Sequence, residues 1–221
     1  NPSGKLRATI AKRRNDYPAW EDFSWDKDHP KQIKTYEDYG LTPPLVDRAF
    51  AHRPVTAYRE DIYLGYRYFD SFGIEPLYPF GFGLSYSLSL TCAGVAKTAK
   101  GLTVKSKIKN TGFRSGREVS QVYVSAQVTA QPHPFQELKA FAKTGELAPG
   151  QTEVIAMTIP WKELASFRED RAAWVIEAGT YLVKLGNSSA HTQTVAVVRV
   201  EKDILVQQVE NRLVLDPVFR E

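Results

Sequence analysis

The stretch LTVKSKIKN, residues 102–110, most constrains the fold: apolar Leu102, Val104 and Ile108 alternate with Lys105, Lys107 and Lys109. Side chains along a strand point to opposite faces with a period of two, whereas a helix repeats every 3.6 residues. The alternation therefore predicts a strand with one buried face and one wet face, and it has company. SLSLTCAGV, EVSQVYVSAQV, FQELKAFAKTGEL, AAWVIE, GTYLVKLG and TQTVAVVRV read as strands of period two or as buried strands. TEVIAMTI sets Val154, Ala156 and Thr158 against Ile155, Met157 and Ile159.

Turn signals separate these runs: NTGFRSG, LAPGQ, EAG and GNSS. About seven short strands over roughly 115 residues, with turns every 8–12 residues, is the arithmetic of an immunoglobulin-like or fibronectin-type sandwich. Trp174 is expected in its core. PWKELASF carries the one helical hint, a turn or two started by Pro160.

The first part of the chain differs. Between about residues 11 and 60 it is polar, proline-punctuated and aromatic, without clean periodicity. Long structureless loops are uncommon inside compact domains, so Trp20, Phe23, Trp25, Tyr36 and Tyr39 are expected to pack against a body outside this chain. GYRYFDSFGIEPLYPFGFGLSY, residues 65–86, then gathers eight aromatic rings, four glycines and two prolines, a composition that suits neither a regular helix nor a plain strand. Asn1-Pro2-Ser3-Gly4 followed at once by strand-like LRATI reads as a cut from a longer polypeptide. The tail DILVQQVENRLVLDPVFRE has apolar residues at near-helical spacing and admits two readings, a connector docking elsewhere or a last strand with an ordered end.

Composition excludes several classes. The 221 residues are 43% hydrophobic and 24% charged, which is globular composition. The net charge of +4 is spread over interleaved acids and bases, without the basic block that marks a nucleic-acid or anionic-membrane partner. Apolar runs fall far short of the roughly 20 residues that span a bilayer, and NPSGKLRATIAKRR has no apolar core of a secretion signal. Cys92 is the single cysteine, so no intrachain disulfide and no cysteine-based zinc site is expected, and the compartment stays open.

Catalytic constellations are missing. No GxSxG, HExxH, P-loop or EF-hand pattern occurs, and GFGLSY lacks the third glycine and following helix of a phosphate loop. His29, His52, His133 and His191 lie far apart, none at ligand spacing, so neither metal nor cofactor is expected. The acids Glu21-Asp22, Glu37-Asp38, Glu60-Asp61, Asp70 and Glu75 are plentiful, and glycoside hydrolysis needs a pair, but sequence neighbours on an extended chain do not point into one cleft.

The run EDIYLGYRYFDSFGIEPLYPFGFGLSY closely resembles the linker of glycoside hydrolase family 3 enzymes, the β-glucosidases and β-xylosidases. There an acidic pair, a GYRYF-like run and a PFGFGLSY run lead from an α/β sandwich domain into a fibronectin type III-like domain. NPSGKL resembles the entry to the closing strand of that α/β sandwich. NTGFRSGREVSQVYV, FQELKAFAKTGELAPGQTEV and WVIEAGTYLVKLGNSS resemble successive parts of the fibronectin-like domain, and the likeness covers nearly the whole chain. Arg7 stands where family members usually carry Pro, and residues 20–58 exceed a minimal family linker; both leave the subfamily open.

The resemblance implies a mainly β chain: a fibronectin type III-like (immunoglobulin-like) β-sandwich preceded by an extended aromatic-rich linker and the last strand of an α/β sandwich domain. Its expected segments are 1–15, the closing strand; 16–83, the interdomain linker; 84–200, the fibronectin type III-like domain; and 201–221, a tail or connector. It also implies a retaining β-glycosidase whose Asp nucleophile lies on a TIM barrel and whose Glu acid/base lies on the α/β sandwich. Neither motif occurs here, so no catalytic position is carried over. The chain alone is expected to be inactive, with the other domains and a β-linked glycoside as its partners.

In the aromatic run, Tyr66, Tyr68, Phe69, Tyr78, Phe80, Phe82 and Tyr86 are expected to lock the interdomain crossing, while glycines and prolines set its turns. The functional alternative puts Tyr66, Arg67, Tyr68 and Asp70 on the rim of a sugar cleft. A free-standing carbohydrate-binding module is the competing class; its candidate rings Trp20, Trp25 and Trp161 do not share a strand face.

Overall fold

The computed structural model describes residues 3–20, 35–41, 60–84, 88–127 and 129–212. Phe23, Trp25, His29, His52, the pair Glu21-Asp22, Tyr86 and the tail from Leu213 lie outside the described residues. Ten strands follow in order: β1 Leu88–Thr98, β2 Gly101–Asn110, β3 Val119–Gln127, β4 Glu137–Lys143, β5 Thr152–Pro160, β6 Ser166–Arg168, β7 Ala173–Ile176, β8 Gly179–Ser188, β9 His191–Val200 and β10 Ile204–Gln208. They form three sheets, β1-β2-β5, β4-β3-β8-β9 and β10-β7-β6. Every pairing is antiparallel.

The two larger sheets enclose the core. Leu102 and Val104 of β2, Met157 and Ile159 of β5, Val122 and Val124 of β3, and Val183 and Leu185 of β8 are buried together. The alternation of β2 is realised as expected, with Lys105, Lys107 and Lys109 exposed opposite Leu102, Val104 and Ile108. Ser106 is buried on the apolar face, where the Ser120 hydroxyl donates to its Oγ at 2.9 Å, so its burial is compensated.

Three details differ from the sequence expectations, and one open alternative is decided. Trp174 is 42% exposed, because its neighbours Ala173 and Val175 point inward and a strand must then turn the residue between them outward. Of the two readings of the tail, the last strand is realised as β10, whose Ile204 and Leu205 pair with Ile176 and Val175; ladder pairing prevails over the near-helical spacing. Inside the supposedly irregular aromatic run sits a helix, α1 Tyr66–Phe72. LRATI is no strand: Leu6 and Ile10 hydrogen-bond to Phe82 and Tyr78, with a single bridge at Ile10. The helical hint at Pro160 is realised as a 3-10 turn over Trp161–Leu164.

Residues 5–17 and 60–84 thus form a strap beside the sandwich. Its Lys5 ammonium meets the Glu118 carboxylate of the sandwich at 2.7 Å, both groups largely buried. Tyr39 is buried, and Arg14 stacks over the Trp20 ring at 4.3 Å.

Candidate functional site at the strap and sandwich junction

Helix α1 forms between two glycines. Gly65 and Gly73 take φ of 62° and 64°, conformations that other residues adopt at a cost, while YRYFDSF between them holds neither Gly nor Pro. The left-handed Gly73 is the usual C-terminal cap. Glycines that read as helix breakers are the helix boundaries, which is why composition alone missed the element.

The helix turns Tyr66 toward the sandwich. Its ring stacks on Phe80 with centroids 4.6 Å apart and meets Tyr123 edge-on at 6.1 Å. The amide of Leu138, in β4, donates to its hydroxyl oxygen at 2.7 Å, and burial raises the hydroxyl pKa. Burial likewise raises that of Tyr123, whose hydroxyl donates to Gln121 Oε1 at 2.6 Å. Gln121 Nε2 donates to the carbonyls of Asn187 and Gly81, at 2.7 and 3.3 Å. Gly81, at φ of 75°, lies so close that a Cβ would sit 2.3 Å from Gln121 Oε1; only glycine admits this approach.

Asp70 is the second anchor. Its Oδ2 accepts from Gln136 Nε2 at 2.9 Å, and the same nitrogen donates to the Ser189 carbonyl at 2.7 Å. Thr192 Oγ1 donates to Gln136 Oε1 at 3.2 Å, and Gln136 is fully buried. At the next residue of the helix, the Phe135 amide donates to Ser71 Oγ at 2.8 Å. Burial raises the Asp70 pKa, opposed by the Gln136 hydrogen bond, the Lys184 charge and Ser189. Burial depresses that of Lys184, opposed by Asp70; the ammonium lies 3.8 Å from the Phe135 ring centroid.

A carboxyl whose folded-state pKa exceeds its unfolded value favours folding in its protonated form. That contribution is present below the unfolded pKa of about 4 and is lost as pH rises through the folded value. Asp70→Asn keeps an acceptor for Gln136 and removes the titration. It is expected to remove the fall in stability that the Asp70 titration contributes to the native chain as pH rises above about 4. Urea midpoints measured across that range check it, and parallel curves for the two proteins contradict it.

Arg67 faces elsewhere. Its guanidinium pairs with Glu137 at 3.0 Å, and Glu137 also meets Lys139 at 3.1 Å. Arg67 borders an open groove of about 1160 Å³, shared by the strap, the β3–β4 loop and the small sheet. Tyr68 packs at the strap's outer side, 4.8 Å from Phe72 and 5.9 Å from Phe69. The four residues named from the sequence therefore divide: Tyr66 and Asp70 are held on the sandwich, Arg67 borders the groove, and Tyr68 joins an outer aromatic cluster.

Beside the groove lies an ion cluster the sequence did not announce. Glu177 is 1% exposed; its Oε1 accepts from Arg168 at 2.9 Å and its Oε2 lies 3.1 Å from His133 Nε2. Arg168 also makes two hydrogen bonds to Asp170. Tyr181 donates to the Glu177 carbonyl, and burial pushes its pKa up to about 12. His191 is bonded too, its Nδ1 3.0 Å from Ser188 Oγ. Partners drawn from residues 131 to 181 have no common sequence period, so only the EAG turn hinted at this place. Among the described residues, no group of three or more His, Cys, Asp or Glu is placed to hold a metal ion.

Comparison with known proteins adds three findings. A model of the fibronectin type III-like domain matches residues 118–189. A β-glucosidase from Ruminococcus albus is 31% identical over 219 residues, 96% of this chain and 20% of that protein; β-glucosidase A from Butyrivibrio fibrisolvens is 33% identical over 97% of this chain and 26% of its own length. The solved structure of β-glucosidase 3B from Thermotoga neapolitana in complex with α-D-glucose superposes with a TM-score of 0.75 and 39% identity, over 93% of this chain and 25% of that one. The chain spans about a fifth to a quarter of the length of these relatives.

Proposed function

Since the chain belongs to glycoside hydrolase family 3, as the C-terminal part of its β-glucosidases, we propose that it is the non-catalytic brace of a retaining exo-β-glycosidase acting on terminal β-linked glucose. The observation that carries this reading is the strap. One side of it is bonded to the sandwich through Lys5, Tyr66, Asp70 and Gly81. The other leaves Leu64, Phe72 and Leu77 more than half exposed, an apolar surface of the kind that marks an interface.

Residues 1–15 then close an α/β sandwich contributed by the rest of the enzyme, 16–83 link it to the fibronectin-like domain over 84–200, and 201–221 are the tail. Both carboxylates of the retaining mechanism come from the barrel and α/β sandwich. A retaining pair stands about 5–5.5 Å apart, and a misplacement of about 1 Å far from the chemistry costs on the order of a hundredfold in rate; a rigid brace protects that spacing. Arg67 and Tyr68 are the residues of the strap that reach toward the substrate-cleft rim, with Tyr66 and Asp70 holding the helix that carries them.

The test combines this chain with β-glucosidase 3B from T. neapolitana from which the matching quarter has been removed. Hydrolysis of an aryl β-glucoside is expected from the mixture and from neither part alone. Turnover by the isolated chain, or a stable complex without turnover, overturns the proposal.

A further inference from the structure

The groove beside Arg67 has features that bracing does not require. Its most exposed aromatic is Trp174, 42% exposed, directly opposite Phe167 in the β6–β7 ladder. The two rings lie 5.8 Å apart at 57°. Among the described residues the indole N–H has no hydrogen-bond acceptor, and Phe167 is its one aromatic partner, with Gln207 opposite it in the β10–β7 ladder. The outward position is imposed: shifting β7 by one residue to bury the indole would expose Ala173 and Val175, now 0% and 1% exposed. A flat ring is thus presented to a groove of about 1160 Å³, more room than the roughly 300–1,000 Å³ of an ordinary small-molecule site.

The charges around it select the ligand. Arg67 and Lys139 share Glu137, and Arg168 is matched by Asp170 and Glu177. These three cations are neutralised in place and Lys162 is the further one in the lining, so the groove does not gather the cationic cluster that a phosphate or another polyanion calls for. What remains is planar forks of donors and acceptors, held still by their partners, beside an aromatic face. Such forks bind paired hydroxyls, and the ring offers apolar area to a ligand that has a C–H face.

We propose that this groove is a carbohydrate-binding site in which Trp174 stacks on a pyranose ring of a neutral β-linked gluco-oligosaccharide and Arg67 and Glu137 bind its hydroxyls. The β-linkage rests on the family reading above; the polyol chemistry rests on the groove. A glucosyl unit with equatorial substituents turns its C–H bonds to its two faces, which suits a flat indole, and the volume accommodates more than one ring.

The experiment titrates the chain with cellotetraose, following heat by calorimetry and the Trp174 indole N–H resonance by NMR. Saturable binding with displacement of that resonance is expected. Trp174→Ala, checked for an unchanged melting temperature, is expected to weaken binding by about tenfold or more, with a smaller loss in Arg67→Ala. If the alanine variant does not fold, the resonance shift in the native chain decides. No saturable binding up to about 10 mM, a weaker limit than the millimolar range of feeble complexes, overturns the site. So does equal affinity for maltotetraose, undiminished binding by a folded Trp174→Ala, or an indole resonance that moves only when the other domains are added. Complementation of the truncated enzyme is scored separately: turnover without sugar binding removes this site and leaves the brace, and sugar binding without turnover does the reverse.

Discussion

Lys5→Ala is expected to destabilise the attachment of the strap by about 3–5 kcal/mol, the usual cost of removing one member of a buried ion pair. The Lys5 and Glu118 side chains are 12% and 2% exposed and 2.7 Å apart. Glu118 Oε1 also accepts from the Val119 amide at 2.8 Å, whereas Oε2 is buried without a partner among the described residues. Taking away the ammonium leaves a carboxylate in an apolar setting with one amide to hold it. The pair itself contributes less than this, since both ions lost their hydration to form it. Glu118→Gln in the Lys5→Ala background is therefore expected to recover much of the loss. Amide exchange at Gly81 and Phe82, whose backbone groups bond Leu6 and Pro79, reports the release locally, and urea unfolding reports its size. A loss below about 1 kcal/mol would place the pair with ordinary surface ion pairs and contradict the expectation.

Phe69→Ala is expected to cost a similar amount, about 3–5 kcal/mol, by removing a buried ring and leaving a cavity. Phe69 is 2% exposed, with Tyr17 edge-on at 5.9 Å and Tyr68 at the same distance. Its amide neighbourhood also closes the helix, since its carbonyl accepts from Gly73 and Ile74. The ring is not part of the cluster built on β2, β3, β5 and β8. The cost is thus expected to fall on the strap alone: a first, low-temperature transition that removes α1, followed by sandwich unfolding at the native temperature. Calorimetry distinguishes this from a single transition shifted as a whole, which would show that strap and sandwich unfold as one unit.

The candidate site was legible in part. Tyr66, Arg67, Tyr68 and Asp70 were named for a sugar-cleft rim because aromatic faces stack on pyranose C–H surfaces, and they occupy one short helix. Their orientations were not readable. Helix periodicity needs a longer run than seven residues to declare a face, and what Tyr66 and Asp70 bind, Leu138 and Gln136, lies more than sixty residues away. Trp174 shows the converse failure: a large ring in an apolar segment reads as core, yet the inward turn of Ala173 and Val175 leaves it no inward place.

What the sequence by itself determined is the long strands of the sandwich and, in β2, which face is buried, because a period of two is a property of the extended backbone and needs no partner to be read. It also determined where turns fall, since Gly, Pro and Asn act on their own dihedral angles. Only the tertiary structure decided that two glycines frame a helix, that the tail is a strand, and that Glu118, Gln136 and Glu177 are buried with partners drawn from distant segments. Those outcomes rest on ladder pairing and on satisfying polar groups removed from water, and both depend on residues that only the fold brings together.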